Sequence, residues 1–119
     1  MPRTFVSRYD IVVDGCDNFQ TRYIISDVCA AQRKPYVFGA ITELDGQVSV
    51  LCSGNATFRS LYPEQPEPSS KAVVGVTPGV VGMVEANQVL QLICGYGEPL
   101  TDRLWTINLR YMQSFIIKL

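Results

Sequence analysis

The sequence predicts an α/β domain built on a partial Rossmann-like mixed sheet. Its expected parts are a β-α-β unit, a hairpin, a long Pro-rich loop, a buried helix and two terminal strands. Three observations carry this. The β-branched run Tyr9-Asp10-Ile11-Val12-Val13-Asp14-Gly15 is followed by a helical pattern and then by a second apolar run, Tyr36-Val37-Phe38-Gly39-Ala40-Ile41. A polar–apolar alternation, Gln47-Val48-Ser49-Val50-Leu51, comes next, as in a half-exposed antiparallel strand. The chain has 119 residues, 47% apolar and 18% charged, which suits one folded domain, 1–119, and excludes a disordered segment.

Residues 9–15 read as a strand buried on both faces. The helix is expected over residues 19–34, with Ile24, Ile25, Val28 and Cys29 forming a core-facing stripe. Asp17 or Asn18 can cap it, Gln20 completes a capping box with Asp17, and Pro35 ends it. Asp45-Gly46 lies between two strand patterns and predicts the hairpin turn. Residues 53–71 carry Pro63, Pro66 and Pro68 among Gly54, Glu64, Glu67, Ser69 and Ser70, a mobile crossover loop by composition. Thr77-Pro78 opens a second helix that runs to Ile93 or Cys94, with Gly95 past its end. Val80, Val81, Val84, Val89, Leu90, Leu92 and Ile93 make it apolar around much of its circumference, so it should be largely buried. Gly75, Gly79 and Gly82 fit neither G-x-G-x-x-G nor a P-loop, and close packing on the sheet explains them better. Residues 104–109 and 114–119 read as two strands joined by a turn near Arg110 and Gln113.

Composition excludes several functions. Ten Lys and Arg against eleven Asp and Glu give a net charge of −1, with no basic excess to hold nucleic acid. There is no His, which removes Ser-His-Asp triads, Cys-His dyads and His-ligated metal sites. Cys16, Cys29, Cys52 and Cys94 form no Cys-x-x-Cys pair and read as buried thiols of a reducing cytoplasm. The start has no apolar signal core, and the longest apolar run, broken by Pro78, is too short to span a membrane. A cytoplasmic protein is expected.

In an α/β domain the ligand meets the carboxyl ends of the parallel strands. The first such end is Asp14-Gly15-Cys16-Asp17-Asn18. Two carboxylates and an amide at a helix N-terminus can hold hydrated Mg²⁺ with phosphate oxygens attached. The alternative is that Asp17 only caps the helix and Asp14 only closes a turn. No phosphate-cradling loop accompanies them.

Here the chain resembles a known family. Asp14-Gly15-Cys16-Asp17-Asn18-Phe19-Gln20-Thr21-Arg22 is similar to the Asp-x-Thr/Ser-Asp-Asn signature and its helical Arg in the MoeB/ThiF/HesA superfamily of ubiquitin-activating-enzyme-like adenylyltransferases. The likeness continues through Arg33-Lys34-Pro35-Tyr36-Val37-Phe38-Gly39-Ala40, Glu43-Leu44-Asp45-Gly46-Gln47-Val48-Ser49-Val50, Phe58-Arg59-Ser60-Leu61-Tyr62-Pro63, Gly75-Val76-Thr77-Pro78-Gly79-Val80-Val81-Gly82 and Gly95-Tyr96-Gly97-Glu98-Pro99-Leu100, and more weakly in the last strands. It covers practically the whole chain, as the carboxy-terminal part of such a domain. The resemblance implies adenylation, with ATP and Mg²⁺, of the C-terminal glycine of a ubiquitin-like sulfur carrier protein. It makes Asp17 the catalytic, Mg²⁺-proximal carboxylate, and sets Asn18 and Arg22 in the nucleotide site, Arg22 with a structural or a catalytic role.

The departures from the family pattern are specific. The glycine-rich ATP-binding half would precede Met1. Thr57-Phe58-Arg59-Ser60 stands where the family has a zinc-binding cysteine pair, so no zinc site is expected. No Cys lies near residues 69–71, where the transfer cysteine falls, and Cys16 is a poor substitute. Two readings follow: part of an adenylyltransferase, inactive alone, or a non-catalytic dimerisation or carrier-binding module derived from one. Either way the unpaired edge beside Ile11 and Val13, and the apolar helix around Val80, Val81, Val84 and Leu92, lead us to expect a homo-oligomer.

Overall fold

The computed structural model describes residues 2–66 and 73–119. Its elements follow in the order α1 (Pro2–Ser7), β1 (Val12–Val13), α2 (Phe19–Gln32), β2 (Tyr36–Thr42), β3 (Asp45–Leu51), α3 (Phe58–Leu61), α4 (Val76–Cys94), β4 (Arg103–Asn108) and β5 (Gln113–Lys118). The five strands form one mixed sheet in sequence order, β1 parallel to β2 and every later neighbour antiparallel. This is the α/β architecture the sequence predicts.

β2 divides the core. Side chains alternate across a strand, so Tyr36 and Phe38 point to one face and Val37 to the other, all three fully enclosed. The first face packs Cys29 of α2 with Leu51, Cys52 and Phe58. The second packs Val48 and Val50 of β3 with Val81 of α4. The protein is therefore layered, with α2 and α3 on one side and α4 on the other.

Several expectations needed correction. β1 is two residues long and lies at the sheet edge, with Val13 half exposed rather than buried on both faces. α2 is capped by Asn18, whose Oδ1 accepts from Thr21 N at 2.8 Å, and the predicted Asp17–Gln20 capping box does not form. The helix ends at Gln32; Arg33 takes the left-handed conformation (φ 54°) and Pro35 bars continuation. The inward face of α2 is Arg22, Ser26 and Cys29, whereas Ile24 is exposed. The hairpin turns at Glu43 and Leu44, with Thr42 opposite Asp45, so Asp45-Gly46 belongs to β3. Gly46 serves helix packing instead: a Cβ there would stand 2.5 Å from Val81 Cγ2.

α4 ends as expected, with Gly95 at φ 73° donating its N–H to Gln91 O. Its glycines are not packing notches, since nothing lies within 4 Å of a Cβ built at Gly75, Gly79 or Gly82. Nor is α4 largely buried. Val81 is enclosed and Val80, Val84 and Leu92 are half-buried, but Val76, Met83, Leu90 and Ile93 are exposed.

The terminal hairpin forms as predicted, and β5 is exposed throughout. Composition did not reveal α1 or α3. Within the Pro-rich stretch, residues 53–66 include α3 and the fully buried Phe58, while residues 67–71 lie outside the described part. Among the thiols only Cys29 and Cys52 are buried; Cys16 is half-buried and Cys94 exposed. Among the described residues no helix is long and apolar enough to cross a membrane.

Phe58 joins the Pro-rich stretch to the core. Its ring centroid lies 4.9 Å from Tyr23, 5.2 Å from Tyr62 and 5.3 Å from Phe38. Phe58→Ala should cost about 3–5 kcal/mol in urea unfolding. Phe115→Ala, on the exposed β5, should stay within about 0.5 kcal/mol of wild type in the same assay.

Candidate functional site

The β1–α2 loop stands at the carboxyl end of the parallel pair β1–β2, where an α/β sheet opens toward a ligand. Asp14 N donates to Val37 O at 2.8 Å, which places the Asp14 side chain inside the protein, 6% exposed. Its Oδ2 accepts from Arg22 Nε at 2.9 Å and from Gly39 N at 3.4 Å. Its Oδ1 accepts from Cys16 N at 3.0 Å and from the Cys16 thiol at 2.9 Å. Arg22 Nη2 donates to Cys16 O at 2.8 Å and to Gly39 O at 3.4 Å, and the guanidinium lies 5.5 Å from the Phe38 ring centre.

Arg22 and Asp14 thus tie the loop to β2 from both ends. The ion pair is enclosed, with the Asp14 carboxylate wholly out of water. Such a pair is retained because removal of either partner strands the other charge in the interior. Cys16 is drawn into the same network. Burial, then the hydrogen bond to Asp14, push its thiol up to about 11, so it stays protonated and non-nucleophilic at neutral pH.

The residues singled out in the sequence fall into two groups. Asp17 and Asn18 are exposed on the outer side of the loop. Asn18 spends its carbonyl oxygen on the helix cap, and Asp17 makes no ion pair among the described residues. Arg22 is turned inward, away from both, onto Asp14. Thr57 and Ser60, which the resemblance sets at a zinc-binding pair, cap α3 together: Thr57 N donates to Ser60 Oγ at 2.9 Å. Among the described residues no cluster of three metal-ligating side chains forms.

Sequence reasoning missed Glu85. It reaches from α4 to the same strand end, and its carboxyl lies so close over Gly39 that a Cβ there would collide with it. The residue is 8% exposed and its Oε1 has no hydrogen-bond partner. Burial, reinforced by Asp14 and opposed by Arg22, raises its carboxyl from 4.5 to about 8. A signal was available: Glu85 is the only charged residue in the nineteen of α4. Beside it runs an open groove of about 440 Å³ lined by Val13, Gly82, Glu85, Ala86, Val89 and Leu90.

Comparison with known proteins adds the following. Residues 1–119 match the ThiF family. The SAMP-activating enzyme E1 of Haloferax volcanii is 41% identical over 105 residues, 83% of this chain and 39% of that protein. The sulfur carrier protein adenylyltransferase of Thermus thermophilus is 40% identical over 81% of this chain and 40% of its own length. The maize (Zea mays) adenylyltransferase and sulfurtransferase MOCS3-1 is 39% identical over 94% of this chain and 25% of its own. The chain therefore spans about a quarter to two-fifths of these relatives. Among solved structures, E. coli MccB with AMPCPP and MccA superposes on 98% of the chain and 39% of MccB, with a TM-score of 0.79 at 15% identity, a likeness of fold.

Two predictions follow from this geometry. Arg22→Ala should cost about 3–5 kcal/mol in denaturant unfolding by stranding Asp14, whereas Asp17→Ala should change stability by less than about 0.5 kcal/mol. The second concerns pH. Folded Glu85 holds its proton above the pH at which the unfolded chain releases it, so its contribution to stability is complete below pH 4.5 and is lost as pH rises to about 8. Glu85→Gln should remove that loss: the melting temperature of the variant should gain on wild type from pH 4.5 to 8 and run parallel above it.

Proposed function

We propose, from the premise that this chain belongs to the ThiF family, that it is the carboxy-terminal part of an adenylation domain acting on a ubiquitin-like sulfur carrier protein. The observation that supports this reading most is the separation of Asp17 from Arg22. The ion pair spends Asp14 and Arg22 on holding the loop, and leaves Asp17 as the loop's uncommitted carboxylate, facing water at the start of α2. Mg²⁺ is commonly held by one or two carboxylates together with substrate phosphates, and Asp17 is suited to that. When bound, Mg²⁺–ATP supplies the electrophilic α-phosphate and a pyrophosphate leaving group.

The chain's own residues have simpler tasks. Asp17 orients the cation, Asn18 fixes the first turn of α2 and keeps its amide nitrogen for the nucleotide, and Arg22 sets the loop's position rather than touching phosphate. The remaining phosphate contacts come from the glycine-rich half that such domains carry. The same reading includes a cytoplasmic setting and association of the chain with itself.

A chimera tests it. The matching stretch of the Thermus thermophilus adenylyltransferase is replaced by residues 1–119, and carrier-dependent ATP–pyrophosphate exchange is measured. Exchange should persist in the chimera and fall about 100-fold or more with Asp17→Ala, while the 119-residue chain alone gives none. A folded chimera without exchange would favour the non-catalytic module, and exchange insensitive to Asp17→Ala would remove Asp17 from the site.

A further inference from the structure

Three polar side chains converge on Gly39 of β2. Its N–H faces Asp14 Oδ2 at 3.4 Å, and its carbonyl faces Arg22 Nη2 at 3.4 Å. From α4, Glu85 lies directly over it, with Oε1 2.6 Å from where a Cβ would stand. The missing side chain thus lets a second carboxyl approach the ion pair that holds the β1–α2 loop. Among the described residues, Glu85 Oε1 has no hydrogen-bond partner, although the residue is 8% exposed. The charged groups that face it are Asp14 and Arg22. On this side of the sheet β2 presents Gly39 and Val37, β3 presents Val48 and Val50, and α4 has no other charged residue.

A neutral carboxyl fits this position and a carboxylate does not. Ionised, Glu85 would be buried without a donor, and one guanidinium would face two carboxylates, an arrangement that like charges disfavour. Burial raises the carboxyl to about 8, in agreement with that geometry. When the proton leaves, one side of the contact has to yield. α4 is bracketed by Thr77 Oγ1 on Glu43 O at 2.6 Å and by Leu100 N on Gln88 Oε1 at 2.8 Å, with Val81 enclosed between them. The loop follows a two-residue edge strand and is tied down by Asp14 N on Val37 O and by the ion pair itself. The loop is the weaker side.

We propose that Glu85 is a positioning residue that couples the hold of Asp14 and Arg22 on the β1–α2 loop to its own proton: protonated, it rests over Gly39 with the loop shut against β2, and ionised, it drives the loop away. This rests on the geometry around Gly39 and is independent of adenylation. Asp17, three residues beyond Asp14, is held in place in neutral solution and released in alkaline solution. By linkage, the opening equilibrium gains up to about tenfold per pH unit while the closed loop retains the proton that the open loop gives up.

Cys16 reports the loop, because its thiol donates to Asp14 Oδ1 at 2.9 Å. In the 119-residue chain with Cys94→Ser, alkylation by iodoacetamide is followed peptide by peptide from about pH 6 to 9, with and without Glu85→Gln. The thiolate dependence of alkylation is common to both proteins and cancels in their ratio. The Cys16 rate with Glu85, relative to Glu85→Gln, should rise about tenfold or more across that range. Cys16 should also react far ahead of the buried Cys29 and Cys52, and about 1 M urea should accelerate those two but not Cys16, since local opening exposes little surface. Referring each rate to the urea-unfolded chain at the same pH gives the same readout without the variant. A flat Cys16 ratio overturns the proposal. So does a Cys16 rate that keeps pace with Cys29 and Cys52 or shares their urea dependence, because the pH effect is then on global unfolding. Exchange in the chimera, present or absent, touches none of these readouts.

Discussion

The enclosed contact between Asp14 and Arg22 determines how the strand end is built. Asp14 follows a two-residue edge strand, and its own N–H to Val37 O is the last backbone bond to β2 before the loop. The ion pair carries the constraint further, with Arg22 reaching from the first turns of α2 to close the loop on both Cys16 O and Gly39 O. Planar guanidinium geometry matters here, since one side chain satisfies a carboxylate and two carbonyls while its face rests near Phe38. Gly39 must then stay small, because Glu85 occupies the space above it. Loop, helix, strand and α4 thus meet at one small polar cluster in an otherwise apolar interior.

That cluster also separates charge. Asp14 is paired with Arg22, and burial, reinforced by Asp14, raises the Glu85 carboxyl to about 8, which favours its protonated form at neutral pH. Negative potential at this strand end is left to the exposed Asp17, on the solvent side of a loop fixed from behind. If Asp17 holds a cation, as proposed, its position is set by groups that take no part in binding.

How much of this was legible in sequence depended on whether the signal was local. Pro35, Gly95 and the turn before Gln113 are backbone constraints that act on their neighbours alone, and the elements they bound fell where expected. Asp45-Gly46 misled because Gly has two uses. Its turn propensity is local, but its need here is set by Val81, thirty-five residues away, approaching β3 from α4. Ile24 misled likewise: apolar periodicity marks the core face of a helix only if the core there is apolar, and at the top of α2 it is Arg22 and Ser26 that point inward. Asp17, Asn18 and Arg22 were found together from one motif, but their division of labour required the position of Asp14, which no spacing rule gives. Glu85 was the quietest of the site residues, a single charge in a helix otherwise read for its valines.

α4 reverses the usual amphipathic arrangement. Three of its four buried residues are polar, Thr77, Glu85 and Gln88, while its exposed side is largely aliphatic. The buried polar groups have specific tasks. Thr77 Oγ1 donates to Glu43 O at 2.6 Å, and Gln88 Oε1 accepts from Leu100 N at 2.8 Å. These bonds bracket the helix and fix where along the sheet it lies, something the non-directional contacts of Val81 cannot do alone. Val81, with the half-buried Val84, Val89 and Leu92, supplies the apolar contact on that face, and further aliphatics lie outside. Scattered exposed aliphatics are ordinary on protein surfaces, so it is the polar inner face of α4 that is unusual. The two polar bonds fix α4 along the sheet, and Val81 with its half-buried neighbours closes the apolar contact between them.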